Sequence, residues 1–173
     1  MPLLSVIVPC FNEEDVFPQL IERLAGALSN CALDYEVLCV DDGSTDRTWQ
    51  LLQRQHEKDP RWLVLSFARN FGHQAAVSAG LSYCSGDVAV IIDADLQDPP
   101  EEICKMFDKW REGYRVVYAI RTRRDDPVFK QFFAWTFYRV FSNLSSFPVS
   151  RDAGDFCLLD RTVIDVLNTL PER

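Results

Sequence analysis

The chain has 173 residues, 47% of them apolar and 25% charged, which suits one folded domain and excludes bulk disorder. Its 18 Lys and Arg face 26 Asp and Glu, for a formal charge of -8. That balance argues against nonspecific nucleic-acid binding, which depends on phosphate neutralisation, and no nucleic-acid partner is expected.

Leu4 to Val8 reads as a short apolar, β-branched first strand. With no basic flank and a proline at Pro9, this start is a strand and not a signal peptide. Asn12-Glu13-Glu14-Asp15 is expected to open a helix reaching about Ser29. Tyr35 to Val40 is a second strand, ended by Asp41-Asp42-Gly43-Ser44. Thr45 or Asp46 can cap the next helix, which runs to about Glu57. Trp62 to Phe67 is a third strand, Phe71 to Cys84 a helix rich in small residues, and Asp87 to Ile92 a fourth strand. Pro99 or Pro100 begins a helix that ends near Gly113, and Tyr114 to Ile120 is a fifth strand.

Strands alternating with helices imply an α/β fold with a mainly parallel sheet, helices on both faces and ligands beyond the carboxyl ends of the strands. The longest apolar run, Val88 to Ile92, is far short of the roughly 20 residues of a bilayer span. None of the six cysteines forms a CxxC or zinc spacing, so free, mostly buried thiols in a reducing compartment are expected.

Residues 126–147 differ in character. Phe129, Phe132, Phe133, Trp135, Phe137, Tyr138 and Phe141 crowd aromatics into a helix-like stretch. Seven basic residues between Arg111 and Arg139 face three acids, giving a local excess of positive charge in an acidic chain. A helix at a bilayer surface and a helix packed on a core both fit this pattern.

Asp93-Ala94-Asp95 follows a buried strand. A loop can turn two alternate carboxylates toward one point, where they suit a hard divalent cation; a capped, solvated loop is the plainer reading. Asp41-Asp42 is a second acidic strand end, which could accept from a ribose or base or simply form a turn. His73 could reach the same cleft, whereas His56 lies in a charged helix. There is no GxxxxGK[ST], no GxGxxG after the first strand and no GxSxG.

Five strings occur in order: SVIVPCFNEE from Ser5, VDDGSTD from Val40, RNFGH from Arg69, DADLQDPP from Asp93 and GDF from Gly154. Together they resemble family 2 glycosyltransferases with a GT-A (Rossmann-like) fold. More narrowly they are similar to the polyprenyl-phosphate glycosyltransferases, the group of dolichol-phosphate mannosyltransferase and the bacterial undecaprenyl-phosphate enzymes. The resemblance spans nearly the whole chain, read as a single catalytic domain of residues 1–173. It implies a chain that lacks the family's C-terminal end and any transmembrane helices. It also implies a UDP- or GDP-sugar donor, Mg²⁺ or Mn²⁺, a polyprenyl phosphate acceptor, inversion at the anomeric carbon and a place on the cytoplasmic face of a membrane. Homo-oligomer formation stays open.

Carried over residue by residue, the resemblance puts Pro9, Phe11 and Glu13 in the nucleotide pocket and Val40 and Asp42 on the base and ribose. Asp93, Ala94 and Asp95 would lie along the donor diphosphate, with Asp93, Asp95 and Gln97 as metal ligands. Arg121 would stand near the donor phosphates or the acceptor, and Asp155 on the acceptor side, as a base or a positioning residue. Arg123, Arg124, Lys130, Arg139 and Arg151 are further candidates to guide the acceptor phosphate. Cys157 stands where the family commonly has Arg. Two rivals remain: a transferase acting on a glycan hydroxyl, for which Asp155 would be an indispensable base, and a catalytically silent binding domain. A haloacid-type phosphatase fits poorly, because its DxD follows an early strand and Leu96 replaces the usual Thr or Val.

Overall fold

A computed structural model describes residues 2–31, 33–120 and 153–170, with the side chains of residues 120 and 153–155 outside that description. The chain divides into two compact units, residues 1–118 with 155–173, and residues 119–154. The readings made on Arg121, Arg123, Arg124, Lys130, Arg139, Arg151 and the aromatic stretch lie outside the described residues.

The sheet has the order β3-β2-β1-β4-β6-β5. Its strands are β1 (Leu3–Cys10), β2 (Asp34–Asp41), β3 (Trp62–Ser66), β4 (Val88–Ile91), β5 (Val116–Ile120) and β6 (Ala153–Asp160). β1, β2, β3 and β4 pair in parallel, with Cys10 opposite Asp41, Asp41 opposite Ser66 and Ile7 opposite Ile91. β6 runs antiparallel to β4, with Ile91 opposite Cys157. The expected mainly parallel sheet is present, and β6 is an element that the sequence pattern did not reveal.

The helices are α1 (Phe17–Asn30), α2 (Thr48–Lys58), α3 (His73–Tyr83), α4 (Ile103–Arg111) and α5 (Arg161–Thr169), and one 3-10 turn, Pro100–Glu102, leads into α4. Helical spacing turns Phe17, Leu20, Leu24, Ala27 and Leu28 of α1 inward, and Phe17 meets Trp62 edge-on at 6.4 Å. On α3, Ala76, Val77 and Leu81 join Ile7, Leu38, Val40, Ile91 and Leu159 in one core cluster. Gly80 lets this helix approach closely, since a Cβ there would strike the Ile7 side chain.

α1 starts at Phe17, not at Asn12. The polar residues ahead of it are used to join two loops. Asn12 sits at φ +57, donates its N–H to Ser44 Oγ and accepts from the Thr45 N–H at 2.8 Å. Glu13 N–H donates to Thr48 Oγ1 at 2.7 Å and Glu14 N–H to Asp46 Oδ2 at 3.1 Å. These side chains compete with the helix for the backbone, and the loop wins. Asp46 also accepts from Thr48 N–H at the start of α2.

The expectation that all cysteines are free is corrected. Cys31 and Cys104 form a disulfide between the end of α1 and the start of α4, with Cα atoms 5.4 Å apart. Cys10, Cys39 and Cys84 are free thiols and buried, as expected, and Cys157 is buried as well. Arg23 of α1 adds an ion pair to Glu101 in the turn before α4, at 2.8 Å.

Candidate active site

The carboxyl ends of β1, β2 and β4 are neighbours because those strands are adjacent and parallel. The loops leaving them surround a cleft of about 290 Å³, walled by Pro9, Cys10, Phe11 and Glu13 after β1 and by Asp42 after β2. Asn70, Gly72, His73 and Ala76 form another wall, and Asp93, Ala94 and Asp95 close it after β4. A wider groove of about 600 Å³ adjoins it through Phe11 and Asn70 and includes Trp49 and Phe67.

Eight residues singled out from the sequence therefore share one cleft: Pro9, Phe11, Glu13, Asp42, His73, Asp93, Ala94 and Asp95. Val40 does not: its side chain is fully buried in the core cluster, which leaves only its main chain near the site. Gln97 is exposed and outside the cleft lining, and its main-chain N–H donates to Asp95 Oδ1 at 3.0 Å. Leu96, at φ +60, makes the turn that brings this N–H back onto Asp95. Asp155 lies on β6 two residues before Cys157, which pairs with Ile91, so its main chain sits at the carboxyl end of β4. Arg121 lies outside the described residues.

Asn70 and Gly72 belong to the RNFGH string but drew no role from the sequence alone. Their place depends on Asp42, which is 3% exposed. Its Oδ1 accepts from Phe71 N–H at 2.7 Å and its Oδ2 from Gly72 N–H at 2.9 Å. Asp41 is likewise engaged, accepting from Ser44 N–H and Ser66 Oγ.

The cleft collects negative charge. Burial, then the carboxylates of Asp95, Asp46 and Asp93, push the Glu13 carboxyl up. Asp93 Oδ1 has His73 Nε2 at 3.8 Å. Carboxylates facing one space favour an added cation. Among the described residues no three His, Cys, Asp or Glu converge closely enough to hold an ion by themselves. That donor set fits a metal such as Mg²⁺, which commonly completes its shell with phosphate oxygens and water. The Cys10 thiol is pushed up by its hydrogen bond to Cys39 and by burial, which makes it a poor nucleophile.

The glycosyl transferase family 2 model matches residues 5–167. This chain belongs to glycosyl transferase family 2. It is 45% identical over 170 residues to an uncharacterized glycosyltransferase of Bacillus subtilis, YkcC, covering 98% of this chain and 53% of that one. It is 36% identical over 171 residues to a bactoprenol glucosyl transferase of Shigella phage SfV, covering 98% of this chain and 56% of that protein. Among solved structures, a mannosyltransferase of Pyrobaculum calidifontis in complex with GDP-Man and Mn²⁺ matches with a TM-score of 0.63 and 25% identity, over 98% of this chain and 48% of that one. The chain spans about half the length of the curated relatives it matches. The sheet order and these neighbours make the family 2 domain a GT-A fold, as its sequence motifs imply.

Proposed function

We propose that this family 2 domain transfers a glycosyl group from a nucleotide-sugar donor to a polyprenyl phosphate. The observation that carries the reading is the convergence of Asp93 and Asp95 with Glu13 in the cleft at the carboxyl ends of β1 and β4. The likeness to a bactoprenol glucosyl transferase supports the acceptor class.

The nucleotide occupies the side walled by Pro9, Phe11 and Asn70, and its diphosphate lies toward Ala94 and the acidic pair. Asp93 and Asp95 would hold Mg²⁺ or Mn²⁺, whose chemistry here is neutralisation of the departing nucleoside diphosphate. Gln97, exposed beside Asp95, is the outer candidate in that set. The acceptor phosphate monoester has a second pKa of about 6, so at neutral pH it is a dianion able to attack the anomeric carbon directly, with inversion. Arg121 is assigned to guiding phosphate. Asp155 is assigned to the acceptor side, where it orients a phosphate or, for a hydroxyl, takes its proton.

No helix among the described residues is long and apolar enough to cross a membrane. A polyprenyl acceptor nonetheless requires work at a lipid surface, and residues 128–141 are the segment assigned to it, at the cytoplasmic face. A panel of UDP- and GDP-sugars, incubated with polyprenyl phosphate and Mg²⁺ or Mn²⁺, tests the proposal. It predicts a glycosylated lipid phosphate from one donor, and transfer to glycan hydroxyls alone would overturn the acceptor assignment.

A further inference from the structure

The turn between β3 and α3 has no regular structure of its own, yet it supplies a wall of the cleft. Two consecutive amides, Phe71 N–H and Gly72 N–H, point at the two oxygens of the buried Asp42 carboxylate. Asp42 is fixed in turn, since its own N–H donates to Cys10 O at 2.8 Å. Hydrogen bonds to an ionised acceptor are stronger than neutral ones, and here two act on one dipeptide.

The next residue supports the same turn from beneath. Gly43 sits at φ +70, and a Cβ built there would strike the Arg69 carbonyl carbon and lie 2.6 Å from Asn70 N. The Arg69–Asn70 backbone therefore rests directly on Gly43. On the outer side, the Arg69 guanidinium lies 4.5 Å from the centroid of the Phe71 ring, and Phe67 meets that ring edge-on at 5.5 Å. Asn70 and His73 flank the two bound amides in sequence, and both line the cleft.

We propose that Asp42 is a positioning residue. Its carboxylate holds the Phe71–Gly72 turn, the turn sets Asn70 and His73 on the cleft wall, and the effect of Asp42 on a bound nucleotide passes through that turn. The statement about the nucleotide rests on the functional reading above; the statement about the turn does not.

The test compares the parent protein with D42N, D42A and G43A. Amide exchange at Phe71 and Gly72 is read without ligand, and affinities for UDP and GDP with Mn²⁺ are read by calorimetry. D42A should speed exchange at both amides by about tenfold or more, with exchange in β1 and α1 unchanged, and should weaken nucleotide binding about tenfold. D42N, isosteric and still able to accept one N–H, should release one amide and lose less affinity. G43A keeps the carboxylate but displaces Arg69–Asn70, and should weaken nucleotide binding comparably. Loss of affinity in D42A with both amides still protected, or full affinity in G43A with a displaced turn, would overturn the proposal. Should the parent bind neither nucleotide, the functional reading fails, and the exchange rates alone decide whether Asp42 holds the turn.

Discussion

The Nε2 of His73 lies 3.8 Å from Oδ1 of Asp93. The first residue of α3 thus meets the first acidic residue after β4, 20 positions further along the chain. The contact marks where the helix that packs on β1 through Gly80 reaches the acidic loop. Glu13 and Asp95 share the same space, and Asp42 and Asp46 follow β2, so the local charge is set by carboxylates from three strand ends.

Asp95→Asn removes one of the two carboxylates after β4. Mn²⁺ affinity, read by electron paramagnetic resonance, should fall, and donor turnover should drop by about 10²-fold or more. Turnover of the parent protein that persists in excess EDTA would sink the metal assignment.

Glu13 reports the electrostatics of the cleft. Its folded-state carboxyl is raised above its ordinary value by burial and by Asp95, Asp46 and Asp93. The sign is that of a group whose stabilising share is complete below the unfolded pKa and is lost as pH rises through the folded value. At pH 7 its charge therefore weighs on the fold. Glu13→Gln should raise the metal-free Tm by about 2 °C at pH 7 and reduce the further rise that Mn²⁺ produces. An unchanged response to Mn²⁺ would place Glu13 outside the cation's field.

Much of this arrangement could be read in the residue pattern. Apolar β-branched runs gave β1, β2 and β4, and Asp41-Asp42 and Asp93-Ala94-Asp95 fell at strand ends because polar residues stop buried strands. The start of α1 was misplaced since Asn12, Glu13 and Glu14 look like a helix opening, but bond instead to Ser44, Thr45, Thr48, Asp46 and Arg47 across 32 to 35 positions. Local pattern carries no sign of such partners. The same reason hid the disulfide, whose cysteines are 73 positions apart. It also hid Asp42's partners, since Phe71 and Gly72 contribute only their backbone. β6 went unseen because its apolar run, Phe156 to Leu159, has no alternation to separate strand from helix.

Asp160 anchors the end of β6. Burial would raise its carboxyl, but hydrogen bonds from Thr162, from Trp110 Nε1 at 2.7 Å and from Arg115 at 2.7 Å hold it well below the usual carboxylate range. A depressed group contributes stability above its unfolded pKa of about 3.9 and loses it as pH falls through the folded value. Asp160→Asn should cost about 1–3 kcal/mol in urea unfolding at pH 7 and flatten the acid limb of the stability profile below about pH 4. Fluorescence of Trp110 should follow the change.

The link between Cys31 and Cys104 closes a long stretch of chain. In the chain-entropy account, such a loop restricts the unfolded state by about 4 kcal/mol. Reduction, or Cys31→Ser, should lower the Tm, and the reducing agent should have no further effect on the variant. Equal Tm values with and without the bond would show that α1 and α4 are held by packing and by Arg23–Glu101 alone.

The most direct test of the functional account is the product formed from a nucleotide-sugar, polyprenyl phosphate and Mn²⁺ by the purified protein. Mass spectrometry of the lipid fraction should show one glycosyl unit added to the lipid phosphate, with nucleoside diphosphate released in equal amount, and none of either with Asp93→Asn. Nucleoside diphosphate released without a glycosylated lipid, across the whole set of UDP- and GDP-sugars, would contradict it.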